Sequence, residues 1–197
     1  VIINVRGTSG SGKTTAVMKL LKMFPNHPFY DKEGKTYGHR IDVKYNRFVF
    51  VVGPYRTSCS GCDRLKSQDQ VCELVTRFSK WGDVLFEGYR TSGSVQRYVN
   101  LAHSLPNHQF LFAFMNTPLK KCLQRLQKRR KKNNLTKPLS KGHIISTYNR
   151  LQKMPAVLKD LGMRIETLPY RRETDAILRL ILAPRRFSRP YRFPRTK

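Results

Sequence analysis

The sequence is short of acid. It has 12 aspartates and glutamates against 39 lysines and arginines, a formal net charge of +27 over 197 residues. From Gly88 to Lys159 there is no acidic residue, and none from Pro184 to Lys197. Self-repulsion on this scale opposes compaction unless a polyanion offsets it, so the expected partner is a nucleic acid. Long hydrophobic runs are missing as well. No stretch approaches the roughly eighteen apolar residues that a membrane-crossing helix needs, so no membrane association is expected. The apolar start, Val1 to Val5, has no basic flank or cleavage site and reads as a core strand, not a secretory leader. Cysteine is sparse, with four residues, two of them in Cys59-Ser-Gly-Cys62. A structural zinc site needs four ligands, and no second C-x-x-C or paired histidines supply them. The cysteines are therefore read as free thiols in a reducing cytosol. There are no internal repeats, and the length suits one domain with a sizeable core.

What is present begins at once. Gly7-Thr8-Ser9-Gly10-Ser11-Gly12-Lys13-Thr14 satisfies G-x-x-x-x-G-K-[ST] in full, preceded by an apolar strand and followed by the amphipathic run Ala16 to Met23. Glycines let several backbone N–H groups approach anionic oxygens, and the helix start adds partial positive charge. Gly7, Thr8, Ser9, Gly10, Ser11, Gly12, Lys13, Thr14 and Thr15 are accordingly expected to hold the phosphates of ATP. Lys13 reaches the β- and γ-phosphates, and the Thr14 hydroxyl sits on Mg²⁺.

The patterning predicts strands over 1–6, 39–45, 47–52, 84–86, 109–115 and 163–168, with residues 25–40 irregular. Helices are predicted over 13–23, 67–81, 95–104, from Thr117-Pro118 to about Lys132, over most of 140–161, and over 173–182. Thr117 is read as the N-cap of its helix, with Pro118 in the first turn. Strands alternating with helices around such a loop indicate a three-layer α/β fold with a mainly parallel sheet.

Ligands in such sheets lie at the carboxyl ends of the strands. Glu87 closes the hydrophobic strand Val84-Leu85-Phe86 there, where an acid either orients Mg²⁺ through water or takes the proton of an acceptor hydroxyl. A helix cap or an ion pair with a nearby arginine are its structural alternatives. Asp63, in the turn-rich segment GPYRTSCSGCD, falls at the same sheet end; it holds the acceptor or acts as base, with Arg56 on a phosphate. Asp42 is a weaker third acid. The spacing does not rank Glu87 against Asp63. In the basic helix Leu119–Lys132, Arg125, Arg129 and Arg130 recur at four and five residues. Arg125 and Arg129 are read as lid arginines that clamp the transferring phosphoryl group. Lys128, Lys131 and Lys132 are read as contacts to a nucleic-acid backbone.

Together these elements resemble the P-loop kinases of the nucleotide and polynucleotide kinase type, over about residues 1–183, with a lid at about 119–140 and a basic tail at 184–197. Within that group the loop GPYRTSCSGCDRLKSQDQVC and the strand VLFEG resemble bacteriophage kinases acting on 5-hydroxymethyluracil within DNA. The resemblance implies ATP-dependent phosphorylation of a base hydroxymethyl group in the cytoplasm of an infected host, with Gly7–Thr15 on the phosphates and Asp63 and Glu87 around the acceptor. One departure from free-nucleoside kinases is that Glu87 is followed by Gly88-Tyr89-Arg90, not by Asp-Arg-(Tyr/Ser). A base within a duplex must be extruded to reach such a site, and Tyr55 or Tyr89 would stack on it. Kinases of polynucleotide 5′-hydroxyl ends need the same basic surface, and a nucleic-acid-binding P-loop ATPase is the alternative from another class. A small-molecule kinase is opposed by the charge alone. No obligate protein partner is inferred.

Overall fold

A computed structural model describes residues 1–43, 47–56, 61–135 and 139–183. The basic tail and Cys59 lie outside the described residues. The strands are β1 (Ile2–Arg6), β2 (Asn26–Tyr30), β3 (Thr36–Val43), β4 (Arg47–Val52), β5 (Asp83–Glu87), β6 (Phe110–Asn116) and β7 (Arg164–Pro169). They form one sheet in the order β2-β3-β4-β5-β1-β6-β7. The five strands from β4 to β7 in that order run parallel, while β2 and β3 extend the edge as antiparallel ribbons. Helices α1 (Lys13–Met23), α2 (Gln68–Ser79), α3 (Tyr89–Gly93), α4 (Val95–His103), α5 (Leu119–Lys132), α6 (Lys141–Asp160) and α7 (Glu173–Leu182) complete the described chain.

The central strands read as continuous apolar runs because helices cover both of their faces. Every residue of β5 is buried, as is Phe110–Met115 of β6. One core packs α2, α4 and α6 on the sheet through Val71, Phe78, Tyr98 and Leu158. The other packs α1 and α7 through Val17, Leu20, Ile177 and Ile181. Ser67 caps α2 by accepting from the Gln70 N–H at 3.1 Å, as Ser does at N-caps. The result is the expected three-layer α/β fold with a mainly parallel sheet.

Three local expectations change. Residues 25–40 are not irregular: β2 and the first half of β3 lie there, joined by a turn in which Asp31 Oδ1 accepts from the Lys35 N–H at 2.8 Å. β2 is an edge strand with mostly exposed side chains and Pro28 in it, so it lacks the alternation that marks a half-buried strand, and an edge tolerates the proline. The short helix α3 was not anticipated after Glu87-Gly88. Thr117 does not cap α5; Pro118 occupies the cap position without a side-chain bond, and the buried Thr117 hydroxyl donates to the Ser11 carbonyl at 2.8 Å. The threonine ties the glycine-rich loop to the end of β6.

Candidate active site

The carboxyl ends of β1, β4 and β5 open into a cavity of about 620 Å³, lined by residues between Ser9 and Ala16, by Asp63, Glu87 and Tyr89, and by Arg125 and Arg129 of α5. Its floor is the turn from β1 into α1. Gly12 sits at the N-cap of α1 with φ 100°, and Gly10 has φ 79°. A Cβ on Gly10 would fall 2.5 Å from the Cys122 carbonyl, so glycine is required both by the left-handed backbone and by the approach of α5. The amino end of α1 thus faces the cavity with its unpaired N–H groups, an anion-binding arrangement.

Lys13 is buried and donates to the carbonyls of Gly7 at 2.7 Å and Thr8 at 3.2 Å. Burial pulls its ammonium below the usual lysine range, and the charges of Glu87 and Asp63 counter that pull. Glu87, 2% exposed, accepts the Thr14 hydroxyl at 2.9 Å. Burial pushes its carboxyl up, while Lys13 and the Thr14 hydroxyl pull it back. Buried Lys13 and Glu87, with the half-buried Thr14 between loop and strand, therefore form one mutually compensating cluster at the loop.

Asp63 lies in a 3₁₀ turn, Gly61–Arg64. Its Oδ2 accepts the Tyr89 N–H at 2.6 Å and its Oδ1 the Arg90 N–H at 3.0 Å. It is the N-terminal cap of α3, supplied from 26 positions upstream, and Arg90 returns a bond to the Asp63 carbonyl at 3.0 Å. The side chain stays about one-third exposed at the cavity. Gly61 backs this turn onto Glu87: a Cβ there would fall 2.2 Å from Glu87 Oε1, and φ is 42°. Ser92 joins the two halves of the site. Its hydroxyl accepts the Gly7 N–H at 3.2 Å and donates to the Gly88 carbonyl at 2.6 Å. Beneath it Arg6, wholly buried, donates to the Ser94 carbonyl at 3.0 Å and stacks over Phe112 at 4.7 Å; burial pulls this guanidinium down to about 9.

Arg125 and Arg129 both line the cavity, and Arg125 also donates to the Ser11 carbonyl at 3.0 Å. Arg130 is not among the lining residues, because an α-helix turns by about 100° from one residue to the next. Arg56 is not either: it donates to Thr36 Oγ1 at 2.8 Å on the β3 side. Asp42 binds Arg40 at 2.9 Å on the sheet's antiparallel flank. Tyr55 is 6% exposed within the α1 core, so its ring is not available to a stacking partner, whereas Tyr89 lines the cavity. Lys19, Arg171, Glu173 and Thr174 also line it and were missed. Arg171 carries a positive φ of 71° in the turn after β7, and Arg125 and Arg171 both lie over the Tyr170 ring, at 5.6 and 5.4 Å. Only Lys19 had a signal, one helical turn beyond Thr15. Cys62, Cys72 and Cys122 are free thiols.

No protein-family model matches the sequence. Among curated proteins, the chain is 36% identical over 142 residues to the 5-hmdU DNA kinase of Pseudomonas phage PaMx11, covering 70% of this chain and 73% of that protein. It is 30% identical over 173 residues to the 5-hmdU DNA kinase of Pseudomonas phage M6, covering 77% and 82%. To the 5-hmdU DNA kinase 1 of Salmonella phage ViI it is 30% identical over 131 residues, covering 64% and 57%. With a phosphate-binding loop, buried Lys13 and Glu87, and two cavity-lining arginines in a chain of this likeness, the protein belongs to the family of phage 5-hmdU DNA kinases.

Proposed function

We propose that the protein transfers the γ-phosphate of ATP to the hydroxymethyl group of 5-hydroxymethyluracil in DNA, in the cytoplasm of an infected host, with residues 1–183 forming the catalytic domain. The observation that carries this reading is the juxtaposition in one cavity of the phosphate-binding turn with the carboxylates of Asp63 and Glu87 and the aromatic side chain of Tyr89. The kinship supports the acceptor, and the net charge of +27 supports a polymer over a free nucleoside.

In this reading the acceptor alcohol attacks the γ-phosphorus, an O–P bond forms, the bond to ADP breaks, and the alcohol proton passes to a carboxylate. Asp63 is the better candidate for that base: it stands at the cavity, beside Tyr89, where an extruded base would arrive. Glu87 is buried against the Thr14 hydroxyl, and its role is to orient that hydroxyl, which with Glu87 would hold Mg²⁺. The donor set suits Mg²⁺, which takes one or two protein oxygens and completes its shell with substrate phosphates and water. Among the described residues no group of three or more His, Cys, Asp and Glu could hold a metal by itself. When bound, Mg²⁺ supplies charge neutralisation on the phosphates. Lys13, Arg125 and Arg129 spread positive charge over the transferring group, the main source of rate in phosphoryl transfer.

The test is transfer of labelled γ-phosphate to closed circular DNAs that differ only in thymine or 5-hydroxymethyluracil. Label on the modified circle alone is expected. Label released as free phosphate with none on DNA overturns the reading in favour of an ATPase. Label appearing only after the circle is cut, with either base, overturns it in favour of an end kinase.

A further inference from the structure

Within the cavity the described lining is polar and charged except for a few side chains, and Tyr89 alone among these residues is aromatic. Its position is fixed at both ends. The backbone N–H is held by Asp63 Oδ2 at 2.6 Å. The phenolic oxygen is bonded to Nε2 of His143 at 2.8 Å, with ring centroids 6.2 Å apart. His143 lies in the first turn of α6, the helix that follows α5 in the chain. A tyrosine at the mouth of a charged cleft, held from a second helix, is poorly explained by core packing, since the Tyr89–His143 contact is exposed.

A base taken out of a stack needs an apolar face to replace its lost neighbours, and aromatic side chains supply one. Tyr89 shares the cavity wall with Asp63 and Glu87, so a pyrimidine lying on its ring would carry its 5-substituent in the neighbourhood of both carboxylates. We propose that Tyr89 is the stacking platform for the acceptor pyrimidine, and that His143 is a positioning residue that holds the ring upright. The inference rests on the function proposed above and names the acceptor subsite of that reaction. Two rotatable side-chain bonds and tethers at both ends leave the platform little freedom to lose when the base arrives.

The experiment is steady-state phosphate transfer to a duplex oligonucleotide with a single 5-hydroxymethyluracil, reading the KM for DNA and for ATP separately. Tyr89→Leu is expected to raise the DNA KM about tenfold to hundredfold, the scale of one lost base–aromatic stack, with the ATP KM unchanged. Tyr89→Phe and His143→Ala each remove the tether but keep the ring, and are expected to raise the DNA KM about two- to tenfold, as for one hydrogen bond. The double variant is expected to be no worse than the worse single, because both remove the same bond. Tyr89→Trp restores a π face and is expected to recover most of what Tyr89→Leu loses, which guards against a mere folding defect. An unchanged DNA KM in Tyr89→Leu overturns the platform while leaving the kinase reading intact. Equal rises in both KM values overturn it in favour of general damage, and additive losses in the double variant overturn the role of His143. No transfer by the wild-type chain overturns the acceptor reading itself, and the subsite with it.

Discussion

One wall of the cavity comes from a single short stretch, Ser9 to Ala16, while the other is assembled from Asp63, Glu87 and Tyr89. The first is a turn and a helix start whose backbone N–H groups converge because of local geometry, including left-handed glycines at 10 and 12. The second depends on partners distant in the chain: Asp63 caps α3 across 26 positions, and Ser92 bonds Gly7 across 85. The nucleotide wall is therefore hard to move without destroying it. On the acceptor wall Glu87 is fixed in the buried strand β5, but Tyr89 is carried by a five-residue helix that Asp63 caps, so that part can be displaced separately. A family can keep one wall and vary the other to suit its acceptor.

The largest effect that would sharpen this contrast is Lys13→Ala. Transfer should fall to background while the protein stays folded and still binds DNA, because the lysine serves phosphates and not the basic surface. Transfer assays beside a DNA-binding titration check it, and near-normal transfer would remove the loop from the mechanism. Next is Asp63→Asn, expected to lower kcat by about 10²–10⁴ with nucleotide affinity little changed. The amide keeps one of the two oxygens that accept from the Tyr89 and Arg90 N–H groups, so half of the α3 cap is retained, and circular dichroism checks that the fold stays native. Full activity would leave Asp63 as a cap alone.

A smaller effect is expected outside both walls. Lys128, Lys131 and Lys132 are exposed on α5. DNA affinity should fall linearly with salt on logarithmic axes, with a slope equivalent to about five or more phosphate contacts at about 0.9 each. Changing the three lysines to glutamine should flatten that slope and leave the acceptor preference unaltered, since phosphate contacts position and base contacts specify. A steep slope retained in the triple variant would move the DNA track elsewhere.

The smallest effect is a pH dependence of stability. Burial raises the folded-state pKa of Glu87 above its ordinary value of 4.5, so the folded protein keeps that proton longer than the unfolded chain does. Its contribution to folding is complete below about 4.5 and is lost as pH rises through the raised value. Glu87→Gln does not titrate, so the nucleotide-free variant should gain stability relative to wild type as pH climbs from mildly acidic to neutral. Urea midpoints measure this, and a difference that does not change with pH would mean that Lys13 and Thr14 fully compensate the buried charge.

The sequence by itself determined what is local. The phosphate-binding turn is legible because its glycines, lysine and threonine are consecutive and its flanks carry opposite periodicities. The parallel core is legible because Val84–Phe86 and Phe110–Met115 are unbroken apolar runs. Arg125 and Arg129 are legible because four residues bring side chains back to one face of a helix, and the same rotation explains why Arg130 does not share their site. Only the tertiary structure decided the rest. It separated Tyr55, buried in the core, from Tyr89, open to the cavity, although both are tyrosines close in sequence to a candidate acid. It made Asp63 the cap of a helix that has no N-cap side chain of its own, and turned Thr117 from a presumed cap into a bond to Ser11. It brought Arg171 and Glu173 to a cavity that no spacing in the chain announces. Local geometry is written in neighbouring residues, whereas a hydrogen bond between distant positions exists only once the sheet order has brought their backbones together.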